Sequence, residues 1–120
     1  MVIETEGERL MSGKLKELES LDSFQTEIQS GVVLVDFFAN WCRPCQMQGP
    51  ILNNIAEKMG GQVSILKIDT DKFGPLAQQF GVSSIPMLLV FKNGKVVESF
   101  VGLQDENTLA AALSNHVATA

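Results

Sequence analysis

Basic charge is scarce in this 120-residue chain: nine lysines and arginines stand against fourteen aspartates and glutamates, a formal net charge of −5. Neutralising a phosphate backbone takes a basic face, so general nucleic-acid binding is not expected. Long apolar runs are missing too. None approaches the roughly 20 residues that span a bilayer, so no membrane span is expected. The opening "MVIETEGERLMSGKLKELES" is polar and acidic, without the apolar core of a secretory signal. The expected compartment is therefore the cytoplasm, where a structural disulfide does not persist. Histidine and cysteine are sparser still: one histidine, His116, and two cysteines, Cys42 and Cys45. Structural zinc takes about four such ligands, so one chain alone cannot close a metal site, although two chains sharing one could.

What is present is a hydrophobic content of 45 % with interspersed charge of both signs. That composition reads as one globular domain, long enough to fold without a disulfide or metal staple. Residues 1–13 read as a loosely ordered arm before a domain at 14–120, and Met11 is an alternative start. A short edge strand is expected near Leu15–Leu18. A helix follows from about Asp22 to Ser30, with Asp22 or Ser23 as cap and Gly31 as its end. "VVLVDFFA" (32–39) is a continuous β-branched and aromatic run, the pattern of a strand buried on both faces. Apolar residues Met47, Ile51, Ile55 and Met59, flanked by Leu52 and Ala56, predict a helix over 43–59 that Pro50 kinks without ending. "VSILKID" is a further strand. A short helix from about Lys72 to Phe80 is expected, with Asp71 as cap, Pro75 in its first turns and Gly81 as its stop. Asn93-Gly94 between two β-rich runs signals a hairpin. A last helix from near Asp105 presents Leu109, Ala112, Leu113 and Val117 on one face. The element order predicts an α/β fold: a central mixed β-sheet flanked by helices on both faces.

"ANWCRPCQ" (39–46) holds both cysteines. A bridge between residues three apart constrains little of the unfolded chain, so it makes a weak structural staple. Redox chemistry has the neighbours it needs. Cys42 stands where a buried strand ends and a helix begins, where free N–H groups and the helix dipole stabilise a thiolate. Cys45, one turn later, is placed to attack a mixed disulfide on Cys42. Pro44 between them limits backbone freedom and suits a first helical turn.

"VDFFANWCRPCQMQGPIL" strongly resembles the active-site segment of the thioredoxin family, usually Trp-Cys-Gly-Pro-Cys-Lys at its centre. "KIDTD", "GVSSIPMLLVFKNGK" and "VG" at 101–102 follow at the family's spacings, from about Ser23 to the C-terminus. The resemblance implies a thioredoxin fold and a protein-disulfide reductase with no bound cofactor beyond a redox-active Cys42–Cys45 disulfide. It implies Cys42 as attacking and Cys45 as resolving cysteine. Asp36 would move the proton of Cys45, with Lys67 as its partner. Burial should raise the pKa of such a carboxylate, which suits an acid/base role. Pro86 would form a cis-proline loop against the disulfide. Trp41, Arg43, Pro44, Ile85, Gly102 and Leu103 would border an apolar patch on which an extended substrate pairs with the backbone at Ile85. The implied partners are disulfide-containing proteins and an NADPH-dependent thioredoxin reductase as electron donor, the protein itself acting as a monomer.

The sequence departs from the family at four places. Arg43 replaces a glycine and Gln46 a lysine, which moves a positive charge between the cysteines. A guanidinium on the Cys42 sulfur would lower that thiol's pKa and make the couple more oxidising; one in solvent would do little. Phe38 replaces a tryptophan and Met87 a threonine, both read as packing changes. Two rival expectations follow: a more oxidising thiol oxidase or isomerase, or a thioredoxin-fold subunit that holds a partner without redox chemistry.

Overall fold

The computed structural model describes residues 15–118; the expected arm and Met11 lie outside them. Five strands form one sheet in the order β1-β3-β2-β4-β5: β1 Leu15–Glu17, β2 Val32–Phe38, β3 Val63–Asp69, β4 Met87–Lys92 and β5 Lys95–Val101. β1, β3 and β2 run parallel, whereas β4 is antiparallel to both β2 and β5. Four helices cover the sheet: α1 Phe24–Ile28, α2 Arg43–Met59, α3 Gly74–Gln79 and α4 Glu106–Ala118. The predicted mixed sheet with helices on both faces is the architecture found.

All seven residues of β2 are buried, because the strand lies at the centre of the sheet with helices above and below. Alternation along it divides the core. Val33, Val35 and Phe37 pack with Phe24 and Ile28 of α1 and Leu76 and Ala77 of α3. Val32 and Leu34 pack on the other face with Leu52, Ile55 and Ala56 of α2 and Leu109 and Leu113 of α4. By the same period Asp36 and Phe38 belong to the α2 face, at the end where α2 begins. The hairpin turns on Asn93 (φ 51°) and Gly94 (φ 88°), both left-handed, as the strand twist of a two-residue loop requires. Asn93 also accepts from the Gly31 N–H and donates its own N–H to the Gly31 carbonyl, each at 2.9 Å, tying the hairpin to the start of β2.

Four local expectations are corrected. The helix expected over 22–30 is a 3-10 turn at Leu21–Ser23 followed by the five-residue α1. Neither Asp22 nor Ser23 caps it; the Ser23 hydroxyl donates to the Ser20 carbonyl instead. Buried Leu18 still donates to the Lys67 carbonyl, so the chain leaves the sheet too late for an earlier helix. α3 starts at Gly74 rather than Lys72, because the Asp69 carbonyl takes the N–H groups of Lys72 and Phe73 in a turn, and Asp69 Oδ1 takes that of Asp71. In α2, Met47 is exposed. The buried row is Cys45, Gln48, Leu52, Ile55 and Ala56, and the helix continues through Pro50. α4 begins one residue later than expected: Asp105 caps it by accepting the Thr108 N–H at 2.7 Å, a bond that holds its carboxyl below its ordinary pKa.

Candidate active site

The sheet register brings three segments to one end of the molecule. Phe37 pairs with Met87 and Met87 with Val101, so the residues just beyond that row are the β2–α2 loop, Ile85-Pro86, and Gly102-Leu103. A backbone bond joins the last two, from the Gly102 N–H to the Pro86 carbonyl at 2.8 Å. Gly102 has φ of 90°, a conformation that side-chain-bearing residues rarely adopt. On the other flank, Phe38 pairs with Asp69, which places the Thr70-Asp71 turn beside the same loop.

Cys42 is the N-cap of α2 and is joined to Cys45 by a disulfide, with the two Cα atoms 5.2 Å apart. Its backbone is extended, as an N-cap requires, and its sulfur accepts the Cys45 N–H at 3.3 Å. That N–H is one of the first-turn donors a helix leaves unpaired. Pro44 occupies the first turn, where its missing N–H costs nothing. The Ile85–Pro86 bond is cis, and the Ile85 carbonyl lies 3.7 Å from the Cys42 sulfur. Phe38, Ala39 and Ile85 close around both cysteines, which are themselves buried.

Asp36 has no solvent exposure, and neither carboxyl oxygen has a hydrogen-bond partner. Loss of water pushes its pKa up to about 7; the positive charge of Lys67 pulls the other way without restoring it. Lys67 is its register partner on β3, yet its ammonium sits 4.5 Å from the centre of the Phe38 ring. Among the described residues it forms no ion pair with Asp36, so the expected partnership acts through space. Arg43 is exposed and makes no hydrogen bond to the Cys42 sulfur. Gln46 donates its side-chain amide to the Asn40 carbonyl at 2.9 Å, bracing the loop that carries Trp41.

Trp41 is 70 % exposed, and its indole N–H donates to Asp71 at 3.0 Å. Val101 and Leu103 are also exposed apolar side chains at this end. The side-chain bonds of Asp71 to Trp41 and of Gln48 to the Gln104 backbone were not foreseen from the sequence. Asp71 read as a helix cap. Gln48 was not singled out, although it lies on the row i+3, i+7 that runs from Cys45 to Leu52. No group of His, Cys, Asp and Glu able to hold a metal occurs among the described residues, and no helix there is long and apolar enough to cross a membrane.

Comparison with known proteins agrees with this geometry. The chain is 50 % identical over 100 residues to a thioredoxin from Chlamydia muridarum, covering 83 % of this chain and 97 % of that one. It is 44 % identical over 95 residues to a thioredoxin from Bacillus subtilis, covering 79 % and 91 %. A mutant thioredoxin from Halobacterium salinarum NRC-1 superposes with a TM-score of 0.82 at 33 % identity, covering 90 % of this chain and 95 % of that one. A Malassezia sympodialis thioredoxin gives 0.78 at 36 % identity, with coverage of 88 % and 93 %. The sequence model of the thioredoxin family itself matches residues 16–115. With a disulfide at the head of α2 and relatives that align across nearly their whole length, this chain belongs to the thioredoxin family of dithiol–disulfide reductases.

Proposed function

We propose that the chain reduces protein disulfides by two successive exchanges, with Cys42 attacking and Cys45 resolving. The observation that carries this assignment is the placement of the Cys42 sulfur at the N-terminus of the 17-residue α2, facing the Cys45 N–H. A thiolate there is stabilised by the helix end, so in the dithiol state Cys42 holds the larger thiolate fraction. It attacks one substrate sulfur; the substrate S–S bond breaks and the second sulfur leaves as a thiolate. The Cys45 sulfur, as thiolate, then attacks the Cys42 sulfur of the mixed disulfide and expels the first. Two electrons pass to the substrate, and the Cys42–Cys45 disulfide remains. An external dithiol donor, an NADPH-dependent thioredoxin reductase on this reading, restores the pair.

Asp36 is the group we assign to take the Cys45 proton. A carboxyl with a pKa near 7 is divided between its two forms at neutral pH, as an acid/base group requires. Lys67 tunes that value through its charge. Pro86 holds Ile85 beside the sulfur, and the substrate lies extended across Trp41, Pro44, Ile85, Gly102 and Leu103, adding its backbone at Ile85 in the manner of an extra strand. Arg43 stands on the rim and selects among partners. The working compartment is the cytoplasm, where donors keep the pair reduced, and the acting unit is the monomer.

The assignment of the two cysteines is tested with Cys45→Ser. This variant still attacks but cannot resolve, so incubation with a disulfide protein should accumulate a covalent mixed disulfide on Cys42, read by mass spectrometry. Adduct formation by Cys42→Ser through Cys45 instead would reverse the roles.

A further inference from the structure

Gln48 has no solvent exposure, and its amide makes two bonds to one backbone residue. Nε2 donates to the Gln104 carbonyl at 3.0 Å, and Oε1 accepts the Gln104 N–H at 2.9 Å. The Gln104 side chain in turn donates to the Gly102 carbonyl at 3.2 Å. Gly102 is bonded to Pro86, Ile85 approaches Cys42, and Cys42 is bonded to Cys45, one turn from Gln48 on the same helix. These contacts close a ring around the disulfide that joins all three site segments. Gln48 is the member that ties the helix to the 102–104 loop. A buried amide is tolerated only when satisfied, and here both of its ends are spent on that loop.

We infer that Gln48 is a positioning residue that fixes the Gly102–Gln104 loop for docking of protein disulfides. This rests on the proposed substrate path over Ile85, Gly102 and Leu103. Gln48 touches no reacting atom; its effect passes through the loop backbone. Gln104 is half-buried, so without Gln48 water can reach its freed backbone groups and the loop loosens rather than the fold collapsing. A substrate must then order the loop as it binds, a cost that falls on association and not on sulfur exchange.

The test is Gln48→Leu, similar in volume and unable to bond, with Gln48→Met as a second variant to be read in the same way if the first does not fold. Steady-state reduction is measured on insulin, a protein disulfide, and on the small aromatic disulfide dithiobis-nitrobenzoate, which is too small to reach across the loop. The expected result is a KM for insulin raised about 5- to 10-fold, the size of one or two lost hydrogen bonds, with kcat within about twofold and no matching loss on the small disulfide. An unchanged KM, or losses of equal size on both substrates, would overturn the inference. If the unmodified protein reduced neither disulfide, the redox reading itself would fall, and this inference with it.

Discussion

Replacing Cys42 by serine is expected to remove disulfide turnover, by at least about a thousandfold, as loss of an attacking group does in enzymes that depend on one. The side chain is buried and nearly isosteric with serine, so the fold should survive. What disappears is the thiolate. A serine hydroxyl stays protonated at neutral pH even at a helix N-terminus, and only a thiolate enters the exchange. Cys45 is not expected to substitute, since it lies one turn into α2 and lacks the N-cap position that stabilises a thiolate. Steady-state reduction of insulin with excess dithiol donor checks this, corrected for the rate of the donor alone. Full turnover by the variant would remove Cys42 from the mechanism.

The second large effect is a pH-dependent penalty at Asp36. In the unfolded chain this carboxyl titrates near its ordinary 3.8; in the fold, burial raises it to about 7. The folded state therefore binds more protons than the unfolded state between those values, and stability falls as pH rises through that window. Below about pH 4 both states are protonated and the full stability is present. Above about pH 7 both are ionised and the loss is complete, roughly 4 kcal/mol for a difference of about three pH units. Asp36→Asn keeps the shape and cannot ionise. In urea unfolding of the oxidised protein, the variant should be close to the parent at pH 4 and exceed it progressively toward pH 8. A gap that stayed constant with pH would mean that Asp36 is not a proton-bearing group in the fold. A carboxyl that destabilises the fold at neutral pH sits on the α2 face of β2, two residues before Phe38; the proposed transfer of the Cys45 proton would give it a functional reason to be there.

The parts of the molecule written as local pattern were readable before the structure. The β-branched run of β2, the Asn93-Gly94 turn and the Cys-x-x-Cys at a strand–helix junction each report a short-range preference that the fold uses unchanged. The parts that were not readable depend on hydrogen bonds between residues far apart in sequence. Gln48 is buried only because Gln104, 56 residues away, supplies both of its partners. Asp71 caps no helix because Asp69 already forms the turn, which leaves its carboxylate to Trp41, 30 residues earlier. Lys67 is the register partner of Asp36, as the resemblance implied, but that its ammonium lies over the Phe38 ring was not legible in the sequence. Arg43 could be read either as a bond to sulfur or as a charge in solvent; it is exposed and makes no hydrogen bond to the Cys42 sulfur.

That last point bears on the family assignment, since an arginine on the sulfur would have pushed the couple toward an oxidant. The most direct measurement is the reduction potential of Cys42–Cys45, obtained by equilibrating the protein with dithiothreitol and glutathione buffers and following Trp41 fluorescence. With no hydrogen bond from Arg43 to the sulfur, the expected value lies near the roughly −270 mV characteristic of thioredoxin itself. A value above roughly −200 mV, toward the oxidant end of the same scale, would contradict the reductase reading.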